Sequence, residues 1–364
     1  MIIIINVTKT YLPDINKYKK YVEHIFESGW ITNNGKLVQE LEIKLKEYLG
    51  VRNILLVSNG TIALQVAYKL LELKGDVITT PFSFVATTSS LVWEGLKPVF
   101  VDIDKHNLNI DTSKIEDSIS DNTCAILPVH VFGNVCDVEK IKEIAKKYDL
   151  KVIYDAAHAF GVKYKNKSIL NYGDVSVISF HATKIFHTIE GGALVINDDK
   201  LYEKAKKMIN FGITGPETIE GLGINAKMNE FQAAMGLCVL EDIDCQISKR
   251  KAIYDKYKRE LSHKLQFQKI RNQIDYNYSY FSIGFETEDI LYKVLQKLNS
   301  KNIFPRRYFY PSLNNLNYLK NSQVCSASED ISKRILCLPL YHQLKVEEQD
   351  SIIEIINSTI YESI

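Results

Sequence analysis

Short apolar runs alternate with segments of helical periodicity through the first two thirds of the chain. The runs are residues 53–58, 75–80, 98–102, 125–131, 152–155, 174–179 and 191–195, and segments such as 84–93 and 137–148 separate them. Strands that are apolar along their whole length are typical of a parallel sheet with helices on both faces. The sequence therefore predicts a large α/β domain with a mostly parallel sheet.

The pattern changes after about residue 245. A lysine-rich helix is predicted over 248–261, an antiparallel strand over the alternating aromatic segment 276–285, and helices over 287–298 and 346–360. We therefore expect an N-terminal arm and large domain over residues 1–245 and a smaller α+β domain over residues 246–364. The sequence has no Pro/Gly/Ser-rich linker between them, so the two parts are expected to pack together.

The charge balance excludes several classes of partner. The chain has 45 Lys and Arg residues against 44 Asp and Glu residues, a net charge of +1. Such a chain has no overall positive electrostatic field that would attract nucleic acid or an anionic membrane, so any phosphate must be held by local groups.

The six cysteines are scattered without a CxxC pair, which favours a reducing compartment. No stretch approaches about 18 uncharged apolar residues, and we expect a cytoplasmic protein with no membrane partner.

Ligands of such sheets bind at the carboxyl ends of the strands, and polar residues stand at several predicted ends. Gly60 and Thr61 lie in a strand-to-helix turn, where a phosphate could meet free backbone N–H groups; the alternative is a simple helix cap. Asp155 ends a buried strand, where a carboxylate is costly unless it meets a cation or donors, as a pyridinium N–H would provide. It could equally cap a helix.

Lys184 lies in a loop between two predicted strands and not on a solvated helix face. An amine held there could form a Schiff base with an aldehyde, since burial lowers its pKa; the alternative is a surface lysine. Ser179 could reach the same phosphate as Thr61. Phe84 could stack on a flat cofactor or belong to the core, and His158 could bond a phenolic oxygen or be a core histidine.

A phosphate site, a strand-end acid, a stacking ring and a loop lysine together favour pyridoxal 5'-phosphate. The same residues, in this order, resemble the DegT/StrS family of sugar-nucleotide aminotransferases. The resemblance is carried by Gly60-Thr61, Phe84-Val85-Ala86-Thr87, Asp155-Ala156-Ala157-His158, the run from Ser179 to Lys184, Glu190-Gly191-Gly192 and the run from Gly223 to Glu230. It extends from Trp30 to Tyr341, essentially the whole chain.

The resemblance implies a fold-type-I pyridoxal-phosphate enzyme that works as a homodimer with its active site at the subunit interface. It assigns to Lys184 the covalent bond to the cofactor and the transfer of protons, and to Asp155 the protonated ring nitrogen. It also implies that Phe84 stacks on the ring and that His158 bonds the phenolic oxygen. Gly60, Thr61 and Ser179 would hold the phosphate, together with one residue of the partner subunit, Asn225.

Three residues depart from the family's usual pattern. His158 stands where glutamine is frequent, and it can make the same bond. Lys227 stands where arginine is usual, which keeps the charge and loses the forked donor. Ile189 replaces a usual glycine before Glu190, so a stiffer loop is expected there.

The implied reaction moves an amino group from L-glutamate to a keto sugar on a nucleoside diphosphate. The cluster Arg306, Arg307, Tyr308 and Tyr310 suits a diphosphate and a sugar or base face; the alternative is a solvated turn with core aromatics. The N-terminal segments, residues 11–18 and 26–35, and the loop 180–190 are similar to the branch that aminates C4 of dTDP-4-keto-6-deoxy-D-glucose for O-antigen or other surface glycans. Amination of C3, or of a UDP-linked sugar, stays open.

Other classes fit the residues less well. Related sugar dehydratases carry histidine at the position of Lys184, so the lysine favours transamination. A non-catalytic pyridoxal-phosphate-binding regulator could lose Lys184 or Asp155, and both are present. A zinc site built from His181, His187 and Glu190 matches no known ligand spacing.

Overall fold

A computed structural model describes residues 4–319 and 323–363 of the chain. Over these residues the helices are α1 (Ile15–Ser28), α2 (Lys36–Leu49), α3 (Gly60–Leu70), α4 (Val85–Trp93), α5 (Val138–Tyr148), α6 (Asp199–Met208), α7 (Glu230–Glu241), α8 (Ile243–Glu260), α9 (Glu288–Ser300), α10 (Ser326–Arg334) and α11 (Val346–Glu362). Short 3₁₀ turns occupy Thr112–Lys114, Glu116–Ser118, Val131–Gly133, Ile169–Asn171 and Leu313–Asn315.

The strands over the same residues are β1 (Ile5–Asn6), β2 (Ile54–Val57), β3 (Asp76–Thr79), β4 (Lys97–Phe100), β5 (Thr123–Leu127), β6 (Lys151–Asp155), β7 (Lys163–Tyr164), β8 (Lys167–Ser168), β9 (Val175–Ser179), β10 (Gly192–Ile196), β11 (Ile213–Gly215), β12 (Thr218–Ile219), β13 (Gln266–Phe267), β14 (Ile274–Asp275), β15 (Phe281–Gly284), β16 (Ile303–Phe304) and β17 (Ile335–Leu338).

Seven strands form the central sheet, in the order β2-β10-β9-β6-β5-β3-β4. The pairs from β9 to β4 are parallel, and β10 runs antiparallel to both of its neighbours. The carboxyl ends of β2, β3, β6 and β9 therefore meet at one edge of the sheet. The predicted α/β architecture with a mostly parallel sheet is confirmed.

Helices cover both faces of this sheet, which explains why its strands are apolar along their whole length. On one face, Val152 and Tyr154 of β6 pack in a cluster with residues of α2, α5 and α7. On the other face, Ile153 packs in a cluster with residues of α3 and α6. Successive side chains of a strand point to opposite faces, so the single run at β6 supplies both layers.

The residue that precedes helix α2 cannot cap it with a side chain. Its N-cap, Gly35, has no side chain, and Glu230, the first residue of α7, supplies the acceptors instead. The Glu230 carboxylate is buried and accepts from the backbone N–H of Leu37 at 2.9 Å and of Val38 at 3.0 Å. A Cβ on Gly35 would lie 2.5 Å from Glu230 Cδ, so glycine is required for this approach.

The C-terminal part is built around a small antiparallel sheet, β13-β15-β17. Its core combines residues of β15 and β17 with the buried faces of α8, α9 and α11. Ile5 joins this core because β1 pairs in parallel with β16. Helix α8 runs across residue 245, and the division of the chain at that residue stays a prediction.

Two predicted strands are shorter than expected. The run 125–131 ends as a strand at Leu127, because Pro128 has no N–H for the ladder and a 3₁₀ turn begins at Val131. In the segment 276–285 only Phe281–Gly284 is strand. Asn277, just upstream, is used differently: its amide donates to the carbonyls of His158 and Phe160 at 2.9 Å each, which ties this segment to the central sheet.

None of the helices in the described part of the chain combines the length and apolar character needed to cross a bilayer.

Candidate active site

Three of the predicted site elements meet where β2, β9 and β10 lie side by side. A Cβ on Gly60 would lie 3.1 Å from Ser179 Cβ, so these two residues are in contact. Gly192 is held even more tightly, since a Cβ there would lie 2.6 Å from the Asn59 carbonyl carbon and 2.7 Å from Gly60 N. The absence of side chains at Gly60 and Gly192 thus brings the Ser179 hydroxyl to the N-terminus of α3.

This turn has the chemistry of an anion site. Helix α3 begins at Gly60, and Asn59 satisfies only one of its first N–H groups, donated by Ile62 at 2.9 Å. Thr61 is exposed, so its hydroxyl is accessible. The remaining N–H groups and the helix dipole favour a phosphate at such a terminus.

Lys184 lies in the loop between β9 and β10, as predicted. The loop is closed by backbone hydrogen bonds from Phe180 N to Gly191 O (2.8 Å) and from Thr188 N to Phe180 O (3.0 Å). Phe180 and Phe186 are buried, with their rings edge to face at 4.8 Å, and they anchor the loop in the core. Burial of its amine lowers the pKa of Lys184 to about 8, and the charge of Asp155 acts in the opposite direction. A substantial fraction of this amine is therefore neutral near physiological pH.

Asp155 ends β6 and is buried. Its carboxylate accepts from the hydroxyl of Thr87 at 2.7 Å and from the backbone N–H of Ala157 at 3.1 Å. Burial raises the pKa of Asp155, whereas these two donors and the charge of Lys184 lower it. A carboxylate in this position gains most from a cationic N–H partner, which would favour its ionised form.

His158 is buried beside these groups. Its Nδ1 accepts the backbone N–H of Phe132 at 3.2 Å, which leaves the proton of the neutral ring on Nε2. Burial keeps the pKa of His158 well below its ordinary value. The ring lies parallel to Phe309 at 5.8 Å and is tilted against Tyr280 at 4.8 Å. His158 is therefore a fixed, neutral donor, suited to an oxygen acceptor.

Tyr280 comes from the C-terminal part of the chain and closes one side of the site. Its ring centroid is 6.0 Å from Lys184 Nζ, and the residue is buried. No motif singles it out, and only the aromatic alternation of residues 276–285 marks the segment. Thr87 belongs to a segment that the sequence did single out, but its hydrogen bond to Asp155 is visible only in the structure.

Phe84 immediately precedes α4, one turn from Thr87, and its side chain is half exposed. It is therefore accessible for stacking, unlike a core phenylalanine. Asn225 is exposed in a segment that crosses the end of β2, where Ala226 O accepts the N–H of Ser58 at 2.8 Å. The assignment of Asn225 to the partner subunit's phosphate site stays a prediction.

Lys227, the second of the three residues that depart from the pattern of the resemblance, donates to Asn210 Oδ1 at 2.9 Å and lies 5.0 Å from the centre of the Phe211 ring. A cavity of about 470 Å³ lies beside it, lined also by Asn33 and Asn34. This cavity does not include Lys184 or Asp155. We place the site at the strand ends, where the ionisable groups converge.

The basic-aromatic cluster divides into two halves. The Arg306 guanidinium is exposed and lies 4.7 Å from the centre of the Tyr308 ring, and Tyr308 meets Tyr280 edge to face at 5.7 Å. Arg306 and Tyr308 are thus joined to the lysine site through Tyr280.

Arg307 and Tyr310 form the other half. The Arg307 guanidinium donates to Glu288 at 2.6 Å, to the Lys333 carbonyl at 2.7 Å and to the Tyr292 hydroxyl at 2.9 Å, and it lies 3.7 Å from the centre of the Tyr310 ring. These contacts give Arg307 a structural role, and its contact with a substrate stays a prediction.

The three residues of the unfavoured zinc site do not converge. His181 Nε2 is 3.5 Å from Glu190 Oε1, but both ring nitrogens of His187 are engaged by backbone groups: Tyr11 O at 2.7 Å and Ile189 N at 3.2 Å. Within residues 4–319 and 323–363, no group of three potential ligands is placed to hold a metal ion. Ile189, which precedes Glu190 in the same loop, has φ +68°, a left-handed conformation that is costly for a β-branched residue.

These residues fit pyridoxal phosphate. The Gly60–Ser179 contact provides a phosphate site, Asp155 a buried acceptor, and Lys184 an amine of lowered pKa.

Comparison with known proteins identifies the family. Residues 14–357 match the DegT/DnrJ/EryC1/StrS aminotransferase family. The chain is 46% identical over 363 residues to a dTDP-4-amino-4,6-dideoxy-D-glucose transaminase of Shigella dysenteriae, covering 98% of both chains. It is 42% identical over 360 residues to the transaminase of the same name from Escherichia coli, covering 94% of this chain and 95% of the relative. The fold matches the crystal structure of DesI in the presence of its TDP-sugar product with a TM-score of 0.91 and 28% identity, over 98% of this chain and 92% of DesI. The predicted fold is confirmed, and the chain belongs to the DegT/DnrJ/EryC1/StrS aminotransferase family.

Proposed function

We propose that the protein transfers the amino group of L-glutamate to C4 of dTDP-4-keto-6-deoxy-D-glucose, with pyridoxal phosphate as its cofactor. The observation that carries the cofactor is the meeting of Lys184, Asp155 and the Gly60–Ser179 contact at one edge of the sheet. The acceptor rests on the names of the two transaminases that are 46% and 42% identical over nearly the full chain.

Pyridoxal phosphate supplies an aldehyde and an electron-withdrawing ring when it is bound. Lys184 would bind that aldehyde through its neutral amine, and the same amine would be available to carry protons during transfer. Asp155 would hold a proton on the ring nitrogen, because a buried carboxylate favours a cationic neighbour. His158 would donate from Nε2 to the phenolic oxygen, because the Phe132 N–H that Nδ1 accepts leaves the ring proton on Nε2.

Phosphate binding is proposed for the N-terminus of α3, with the hydroxyls of Thr61 and Ser179. Asn225 of the partner subunit would complete it, which requires a homodimer with shared sites. Large apolar side chains are exposed near this segment: Ile213, Ile219, Leu222 and Ile224. The exposure of these side chains supports the dimer, because a second copy would remove them from water.

The exposed Arg306 guanidinium and the Tyr308 ring are proposed to contact the diphosphate and the sugar. Their position beside Tyr280, and so beside Lys184, supports this assignment. Resemblance to the C4-aminating branch supports a role for the amino sugar in the synthesis of O-antigen or another surface glycan. We propose that the enzyme makes this sugar in the cytoplasm.

Absorption spectroscopy tests the proposal. The purified protein with added pyridoxal phosphate should show a visible band that glutamate bleaches and dTDP-4-keto-6-deoxy-D-glucose restores. The Lys184→Ala variant is the control for the covalent bond. Restoration only by a 3-keto isomer or by a UDP-linked 4-keto sugar would keep the enzyme class and contradict the acceptor. No band in the wild-type protein would contradict the role of Lys184.

A further inference from the structure

Two buried hydroxyl groups stand in line behind the Asp155 carboxylate. Thr87 Oγ1 lies 2.7 Å from Asp155 Oδ2, and Ser83 Oγ lies 2.7 Å from Thr87 Oγ1. All three side chains are buried, with exposed fractions of 7% for Asp155, 0% for Thr87 and 2% for Ser83. In a buried environment, consecutive hydrogen bonds strengthen one another and hold the hydroxyl groups in fixed orientations.

The direction of donation in this chain follows from the number of protons. An ionised carboxylate only accepts, so the single Thr87 hydroxyl proton points to Asp155. Thr87 Oγ1 must then accept from Ser83, whose proton points along the same line. Each bond polarises the next, and the carboxylate receives a stronger donor than an isolated threonine.

The backbone N–H of Ala157 holds the other carboxylate oxygen at 3.1 Å. Thr87 and Ala157 thus hold the carboxylate by both oxygens, which fixes the plane of the group. An oxygen of a carboxylate has two acceptor positions, so each oxygen can still accept a further donor.

We propose that Thr87, supported by Ser83, is a positioning residue that holds the Asp155 carboxylate ionised and oriented toward the protonated ring nitrogen of the cofactor. This inference rests on the proposed function. Without the Thr87 hydroxyl, the carboxylate loses a donor to its charged form and becomes more basic. The proton shared with the ring nitrogen then shifts toward Asp155, and the ring loses the positive charge that makes it electron-withdrawing.

The next residue of the same helix provides a matched control. Thr88 is as buried as Thr87, but its Oγ1 has no hydrogen-bond partner among the described residues. Thr87→Val and Thr88→Val therefore make the same change of shape on adjacent positions of α4, and only the first removes a hydrogen bond to Asp155. Thr87→Ser keeps the hydroxyl.

The experiment compares these variants as holoenzymes loaded with pyridoxal phosphate labelled with ¹⁵N at the ring nitrogen. We expect the ¹⁵N chemical shift of a protonated ring in the wild-type, Thr87→Ser and Thr88→Val proteins, and a shift toward the unprotonated value in Thr87→Val. The dissociation constant for the cofactor should rise about tenfold in Thr87→Val, which corresponds to about 1.4 kcal/mol, and by less than about threefold in the other two.

An unchanged ¹⁵N shift and dissociation constant in Thr87→Val would overturn the positioning role while the proposed function stands. Equal losses in Thr87→Val and Thr88→Val would also overturn it, because packing alone would explain them. If Thr87→Val does not fold, Ser83→Ala takes its place. We then expect a smaller change of the ¹⁵N shift in the same direction, and an unchanged shift would contradict the positioning role. Failure of the wild-type protein to bind the cofactor would overturn the proposed function itself.

Discussion

The buried carboxylate of Glu230 gives a sharp test of how α2 is held at its N-terminus. In Glu230→Gln the amide oxygen can accept one of the two backbone N–H groups, of Leu37 or Val38, and the amide NH₂ then faces the other. The variant therefore keeps one of the two hydrogen bonds, and the second backbone N–H and the amide NH₂ are both left buried without an acceptor. Taking about 1.5 kcal/mol for each unpaired donor gives a destabilisation of about 3 kcal/mol.

The measurement is thermal unfolding of the protein without added cofactor, monitored by calorimetry or circular dichroism. At about 2.1 cal/mol/K per residue, a chain of 364 residues has an unfolding entropy of about 0.8 kcal/mol/K, so the Tm of Glu230→Gln should fall by about 4 °C. Glu241→Gln is the control, because Glu241 forms only an exposed ion pair with Lys17. This substitution should lower the Tm by less than about 1 °C. A Tm for Glu230→Gln as high as that of Glu241→Gln would refute the assignment of the α2 cap.

Three further predictions concern the site. Lys184→Ala should remain folded, with an unchanged far-ultraviolet circular dichroism spectrum, but should not complete turnover; normal turnover would contradict its central role. Asp155→Asn should retain some cofactor by absorbance, while kcat falls roughly 100-fold or more because the ring nitrogen loses its ionic partner; wild-type kinetics would show that Asp155 only terminates β6. The rate of cofactor capture by Lys184 should rise with pH and level off above about 8, since burial lowers the pKa of its amine and only the neutral form reacts. In Asp155→Asn the midpoint of this profile should move to lower pH, because the charge of Asp155 raises the pKa of Lys184. In the wild-type protein, a midpoint near the ordinary lysine pKa would instead show that the amine is solvated.

The sequence predicts the sheet well because strands buried on both faces leave a continuous apolar run, as at β2 and β10. It also predicts the order of the residues at the strand ends, since each follows its own strand directly. The antiparallel direction of β10 is not visible in its residues, because an apolar strand looks the same in either direction. Tyr280 could not be placed beside Lys184, since that contact depends on how the C-terminal part packs on the sheet.

Hydrogen-bond partners form the other group that the sequence does not show. Arg307 has the same residue type and neighbourhood as Arg306, but only the packing of α9 and α10 gives it an acidic partner and a carbonyl. The same holds for Thr87, whose partner Asp155 is remote in sequence. The residue type predicts which groups a side chain can bind. The fold decides whether the side chain is engaged by another residue of the protein or is available to a ligand.

The parallel pairing of β1 with β16 also bears on how the chain folds during synthesis. Ile5 and Asn6 leave the ribosome well before their partners, Ile303 and Phe304, because about 300 residues separate the two strands. The same delay applies to Tyr11, whose ring packs edge to face on His342 at 5.0 Å while its carbonyl accepts a hydrogen bond from His187 of the lysine loop. Contacts of this sequence separation form late, because chain entropy opposes their closure. We therefore expect the docking of the N-terminal arm on β16 and His342 to be among the later steps of folding, so that a domain fused at the N-terminus would act on those steps.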